Sequence, residues 1–160
     1  MTPLLFLDVD GVLIPFGRSD IPTFGDNPDA AHPLLTRVDP ALGPRLAALP
    51  LDLVWATTWE EDANDLIAPR LGLGRLPVVE WIDADPPVGV HWKTASLVEA
   101  AGSRPFAWID DELTGRDQQW IDARHPASVL LLKSRPDVGL TFDQLEEIAD
   151  WARGAESLDG

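Results

Sequence analysis

Apolar positions in this chain gather in five short runs: Leu4 to Asp8, Leu51 to Thr57, Leu76 to Trp81, Phe106 to Asp110 and Ser128 to Leu132. Each has the length and the aliphatic or aromatic character of a buried strand. Between them the period changes. After Trp59, the residues Ala63, Leu66 and Ile67 recur at helical spacing, and after Thr141 so do Phe142, Leu145, Ile148, Ala149 and Ala152. Both segments open with the spelling of a capping box, Thr58-x-x-Glu61 and Thr141-x-x-Gln144. Asp39-Pro40 predicts a further helix start, and Gly102 the end of the helix that contains Lys93. Strand alternating with helix predicts a three-layer α/β/α Rossmann-like fold with a five-stranded, mostly parallel sheet and right-handed crossovers, residues 1–160 forming one domain. The stretch 13–38 is rich in Pro, Gly, Asp and Asn and keeps no period, so it reads as a flap over the strand ends. Residues 154–160 read as a frayed tail.

The first run carries the strongest chemical signal. Leu4-Leu5-Phe6-Leu7 leads directly into Asp8-Val9-Asp10-Gly11, so a buried strand delivers two carboxylates into a glycine turn. Acids in such a place are costly unless a cation compensates them, and a hard divalent ion held by oxygen ligands is the usual compensation. In a parallel sheet the crevice beyond the carboxyl ends of the strands is also where ligands bind. The plainer alternative is an aspartate turn, which needs only one Asp before the Gly.

Composition narrows the chemistry. The chain has 160 residues, enough for one full core, and no cysteine, which excludes disulfides and thiolate metal sites. His32, His91 and His125 show no zinc-like spacing. Twelve basic against 27 acidic residues leave a net charge of -15, which disfavours an extended nucleic-acid-binding surface but leaves a locally docked phosphorylated group open. Asp8 and Asp10 interrupt the N-terminal apolar stretch, so neither a signal peptide nor a membrane span is expected, and the location expected is cytoplasmic.

Three further features fall at the ends of later runs. The second ends in Thr57-Thr58; with Thr58 as the helix cap, Thr57 is left to donate its hydroxyl to a ligand. Lys93 sits in the first turn of its helix, where the helix dipole disfavours a cation unless an anion is near. The fourth run ends in Asp110-Asp111-Glu112, adjacent acids that repel unless one meets a cation. A solvated lysine and a helix-capping acid pair are the bland readings of these two.

In order, Asp-x-Asp-Gly-Val, Thr, Lys and Asp-Asp resemble the four motifs of the haloacid dehalogenase (HAD) superfamily of phosphohydrolases. At finer grain, Trp55-Ala56-Thr57-Thr58-Trp59, Ala63-Asn64, His91-Trp92-Lys93, Phe106-Ala107-Trp108-Ile109-Asp110-Asp111 and Gly139-Leu140-Thr141 are similar to the small HAD domains related to those of Swiss Army Knife RNA repair proteins. The resemblance spans nearly the whole chain. It implies a phosphomonoesterase in which Asp8 is the nucleophile that forms an aspartyl-phosphate, and Asp10 the general acid and then base. Thr57 and Lys93 would bind the phosphoryl group. By their own placement, Gly11, Thr58, Arg18, Trp59 and Trp92 are expected as further substrate contacts. Mg²⁺ would be held by Asp8, the Asp10 backbone carbonyl, Asp110 and, less securely, Asp111.

Two departures qualify the match. The fourth motif is Asp-Asp, with Thr114 where a later acid often stands, and the intervals around Thr57 leave no room for a cap domain. A capless site implies a macromolecular phosphoester, such as a nucleic-acid end, or completion of the site in a homo-oligomer; nucleotides and other small phosphorylated molecules are the alternative substrates. Trp59 and Trp92 could stack a nucleobase, although packing is the default for aromatics, and Trp55 and Trp108 are expected in the core. Arg18, Arg37 and Lys133-Ser134-Arg135 could supply a small basic rim. A receiver-type signalling domain has similar residues but in another motif order, and a non-catalytic phosphoacceptor or regulatory HAD-like protein is the remaining rival.

Overall fold

The computed structural model describes residues 1–27 and 30–158. Strands β1 (Leu4–Leu7), β2 (Asp52–Trp55), β3 (Phe106–Asp110) and β4 (Val129–Lys133) form one parallel sheet in the order β2-β1-β3-β4. In register, Leu4 stands beside Asp52 on one side and Phe106 on the other, so the carboxyl ends of β1, β2 and β3 finish side by side. Every residue of β1 and β3 is buried, as expected of central strands covered on both faces.

Alternation along the strands sorts the core into two layers. Leu5, Leu7, Ala107 and Ile109 pack toward helices α1 (Leu42–Ala47), α2 (Ala68–Leu71) and α5 (Phe142–Ser157), meeting Leu46, Leu71, Leu145 and Ile148. Leu4, Phe6, Phe106 and Trp108 pack toward α3 (Thr94–Ala101) and α4 (Gly115–Asp122), meeting Leu97, Ala101 and Ile121. The three-layer α/β/α arrangement follows, and Trp55 and Trp108 are fully buried as expected. Among the described residues no helix is long and apolar enough to cross a membrane.

The sheet has four strands rather than the five expected. The segment from Leu76 to Trp81 runs beside β2 but touches it at one bridge, Trp55 with Val78. Buried Asn64 has taken its ladder groups. Asn64 Oδ1 accepts from the Leu76 amide (2.8 Å) and Nδ2 donates to the Leu76 carbonyl (2.9 Å), while Oδ1 also accepts from Trp55 Nε1 (2.9 Å). Pro77, which follows, has no amide to offer. Only the Pro77 carbonyl and the Val79 amide reach Trp55.

The helix expected from Trp59 also differs. A turn with Glu60 at φ 53° leads into a single π-helical turn, Ala63–Ile67, and then α2. The Thr58–Glu61 capping box does not form; Glu61 instead binds Asn64 and Arg75. The identically spelled Thr141–Gln144 box does form and starts α5. That helix continues through Ser157, so 154–157 are helical rather than frayed; Asp159 and Gly160 lie outside the described residues. The Asp39 carboxylate accepts from the Ala41 amide just ahead of α1, and Gly102 ends α3.

The expected flap is irregular except for a 3-10 turn at Pro33–Arg37, and its Pro28 and Asp29 lie outside the described residues. It is tied down by Phe16 N to the Pro136 carbonyl (2.8 Å) and Arg37 Nη1 to the Pro15 carbonyl (2.9 Å).

Candidate active site

Where β1, β2 and β3 end, three chain segments converge on one buried ammonium. Lys93 stands at the N-terminal edge of α3 and is 4% exposed. Its Nζ lies 3.0 Å from Asp8 Oδ2, 3.0 Å from Asp110 Oδ2 and 3.0 Å from the Ala56 carbonyl. An ammonium has three hydrogens, and all three have acceptors. Trp81 and Trp92 wall the same group, with ring centroids 5.9 and 5.7 Å from Nζ.

The charges do not balance. Asp8, Asp110 and Asp111 each place a carboxylate oxygen within 4.8 Å of the others, against one lysine. Burial pushes the Asp8 carboxyl up to about 7; Lys93 pulls it down and the Asp110 charge pushes it up again. Burial acts on Asp110 in the same sense. There Lys93 and the Glu112 amide, which donates to Asp110 Oδ1 at 3.0 Å, win and hold it below the ordinary carboxylate range. Burial and the Asp110 charge raise Asp111. Burial lowers Lys93, but the two carboxylates outweigh it and hold the ammonium charged. One ammonium thus serves Asp110 well and leaves Asp8 short of compensation. Oxygen ligands with uncompensated negative charge are what a hard divalent cation needs, and these three residues could hold one.

The carboxylates line a cavity of about 170 Å³ together with Asp10, Phe16, Thr58, His91, Trp92, Lys93 and Glu112. Gly11, at φ 76°, turns the chain after the Asp pair, and a Cβ there would lie 2.7 Å from the Asp111 carboxyl, so glycine lets Asp111 close against the turn. Ser134 Oγ donates to the Gly11 carbonyl (2.8 Å) and pins the turn to the end of β4. A larger cavity of about 590 Å³ lies between the segment at 77–82 and α3, but none of the clustered carboxylates or Lys93 lines it.

Not every expected contact is placed alike. Asp8, Asp10, Lys93, Asp110, Asp111, Thr58 and Trp92 share the cavity. Thr57 is fully buried, and its Oγ1 accepts from the Trp59 amide at 3.2 Å, which leaves its hydrogen free to donate. Trp59 directs its indole Nε1 to Asp10 Oδ2, 3.2 Å away. Arg18 lines a different cavity under the flap, where its Nε donates to the Asp137 carbonyl (2.9 Å).

Two residues to which sequence reasoning gave no role in the site support it. His91 Nδ1 accepts from the Lys93 amide (3.1 Å), so Nε2 carries the hydrogen and faces Glu112 Oε2 at 3.2 Å. Asp117 is fully buried in α4 and accepts from the His91 amide (2.7 Å), Thr94 Oγ1 (2.9 Å) and the Thr114 amide (2.9 Å). It locks the segment carrying Lys93 to the start of α4. The signal was present: Thr114-x-x-Asp117 is itself a capping-box spelling, and the box forms.

No curated protein and no solved structure gives a significant match to the chain. A family model does match, described as the HAD domain in Swiss Army Knife RNA repair proteins, and it covers residues 4–145. Asp8 after the first strand, Lys93 at the start of a helix and Asp110-Asp111 at the end of a later strand thus meet in one cluster, and one family match spans them all. The chain belongs to the family of HAD domains found in Swiss Army Knife RNA repair proteins.

Proposed function

We propose that this domain is a Mg²⁺-dependent phosphomonoesterase that works through an aspartyl-phosphate on Asp8, with nucleotides or the phosphate ends of nucleic acids as substrates. The observation that carries the reading is the Lys93 ammonium held 3.0 Å from both Asp8 and Asp110, with Asp111 completing a carboxylate set that one lysine cannot neutralise. Asp8, the Asp10 carbonyl, Asp110 and Asp111 would hold Mg²⁺, which supplies electrostatic stabilisation of the phosphoryl oxygens when bound.

In the first half-reaction Asp8 attacks phosphorus in line. The bond from phosphorus to the leaving oxygen breaks, and Asp10 gives that oxygen a proton. In the second half Asp10 takes a proton from water as the water attacks the phosphoryl group on Asp8, releasing phosphate and restoring both carboxyl groups. Lys93, and Thr57 through its free hydroxyl hydrogen, would offset charge on the transferring group.

The cavity volume bears on substrate size. At about 170 Å³ it falls below the roughly 300–1,000 Å³ of pockets that engulf a small ligand. It suits a phosphoryl group, with the rest of the substrate at a rim where Phe16 and Trp92 are 42% and 41% exposed. Those aromatic faces favour a base-bearing leaving group.

The test is phosphate release with Mg²⁺ across p-nitrophenyl phosphate, nucleoside monophosphates and RNA or DNA ends bearing 3′- or 5′-phosphate. Turnover that requires both Mg²⁺ and Asp8, lost by at least about a thousandfold in Asp8→Asn, is the expected result. Release that survives Asp8→Asn overturns the mechanism. Absence of release from folded, Mg²⁺-bound protein favours the non-catalytic phosphoacceptor.

A further inference from the structure

The Asp10 carboxylate is exposed at the mouth of the site. Among the described residues its side-chain hydrogen-bond donor is the indole of Trp59, with Nε1 3.2 Å from Oδ2. The position of that indole is itself over-determined. Thr57 Oγ1 accepts from the Trp59 amide (3.2 Å), and the Thr57 carbonyl accepts from the Glu60 amide (3.2 Å). Glu60 completes the turn at φ 53°, the one non-glycine residue with positive φ among the described residues. Such a conformation is strained and persists where surrounding structure requires it. The Trp59 ring packs on the core layer beneath α1 and α2, and the His32 ring of the flap lies 5.5 Å from it.

We propose that Trp59 is a positioning residue for the acid-base carboxylate, fixing which oxygen of Asp10 carries the proton. An indole N–H donates and cannot accept. Oδ2 faces Trp59 as an acceptor, and because the carbonyl oxygen of an acid accepts more strongly than its hydroxyl oxygen, the indole favours the acid form with its hydrogen on Oδ1, the oxygen left to meet the substrate. Protonation on Oδ2 would leave the indole only the weaker acceptor of the two. The turn from Thr57 to Glu60 thereby links the phosphoryl-binding threonine to the proton donor, and Trp59 acts through Asp10 rather than by stacking a base.

This inference rests on the phosphomonoesterase reading, so its test has one arm that needs turnover and one that does not. Trp59→Phe keeps the ring and deletes the donor. Measured as kcat/KM, which reports the steps through cleavage of the ester, the variant should lose about tenfold or more on alkyl phosphates, whose leaving oxygen needs a proton. It should lose no more than about twofold on p-nitrophenyl phosphate, whose leaving group does not. An equal loss on both, or none, overturns the proposal. In the second arm the Trp59 indole ¹H–¹⁵N resonance is followed in Asp10→Ala: it should move away from its wild-type position while the resonances of Trp55 and Trp120 stay. An unmoved resonance overturns the proposal even if Trp59→Phe fails to fold. Wild-type protein that releases no phosphate would remove the functional reading, and the resonance would still judge the contact.

Discussion

Lys93 Nζ stands 3.0 Å from Asp8 Oδ2 and the same distance from Asp110 Oδ2, so a single ammonium holds together the ends of two neighbouring strands. The cluster is an unfinished electrostatic circuit. Much of what can be measured on this protein follows from removing one of its members.

Lys93→Met leaves two buried carboxylates without their counter-ion. Breaking such a pair from one side costs about 3–5 kcal/mol, and urea denaturation should show a loss of that size. Adding Asp110→Asn to Lys93→Met should recover part of it by removing one of the orphaned charges. Equal stability of the single and double variants would mean that the cluster is more hydrated than its burial indicates.

Metal-free protein should lose stability as pH rises from about 4 to about 7. The Asp8 carboxyl goes from 3.8 in the unfolded chain to about 7 in the folded one. Between those values the folded state holds a proton that the unfolded state has released, so raising the pH favours unfolding. Asp111, also raised, adds to the same slope. Asp110, lowered, acts below this window, where its stabilising effect is lost as pH falls. Denaturant melts at a series of pH values should show the decline in wild type and a shallower one in Asp8→Asn. Mg²⁺ should flatten the wild-type slope, because an ion bound by the ionised carboxylate displaces the proton.

Gly11→Ala should be disproportionately harmful for one methyl group. It must adopt φ 76°, and its Cβ would meet the Asp111 carboxyl at 2.7 Å. A loss of about 1–3 kcal/mol is expected, with weaker Mg²⁺ binding by calorimetry because Asp111 is displaced. Gly74→Ala is the control: a Cβ there meets nothing within 4 Å, so stability should stay within about 0.5 kcal/mol of wild type.

Asp117→Ala removes an acceptor shared by the His91 amide, Thr94 Oγ1 and the Thr114 amide. Donors left buried without partners cost about 1–3 kcal/mol. Because His91 and Thr94 flank Lys93, phosphate release should fall as well, although Asp117 does not line the cavity. Loss of stability with undiminished turnover would show that the Lys93 segment is held by other contacts.

The limits of sequence reading are clearest where the same spelling gives different outcomes. Thr141-x-x-Gln144 forms its capping box, whereas Thr58-x-x-Glu61 does not, because Glu61 is drawn to Asn64 and Arg75 and Glu60 bends the chain. The run Leu76 to Trp81 has strand composition, but the side chain of Asn64 occupies the hydrogen-bonding groups that a fifth strand would use. Arg75 lies 14 residues from Glu61 and Asn64 lies 12 from Leu76, too far to be read as local pattern.

What the sequence determined by itself was the part that local chemistry controls. Apolar runs wide enough to be buried on both faces specify parallel strands, and acids at their ends specify where a cation belongs; the family followed from those residues in order. Tertiary structure decided the contacts between side chains far apart in the chain. It set Lys93 between Asp8 and Asp110, hid Asp117 behind the lysine segment and set the Trp59 indole N–H on the Asp10 carboxylate. The physical reason is that periodicity reports which face of an element is buried, whereas a hydrogen bond or an ion pair depends on angles and distances that exist only once several elements have packed.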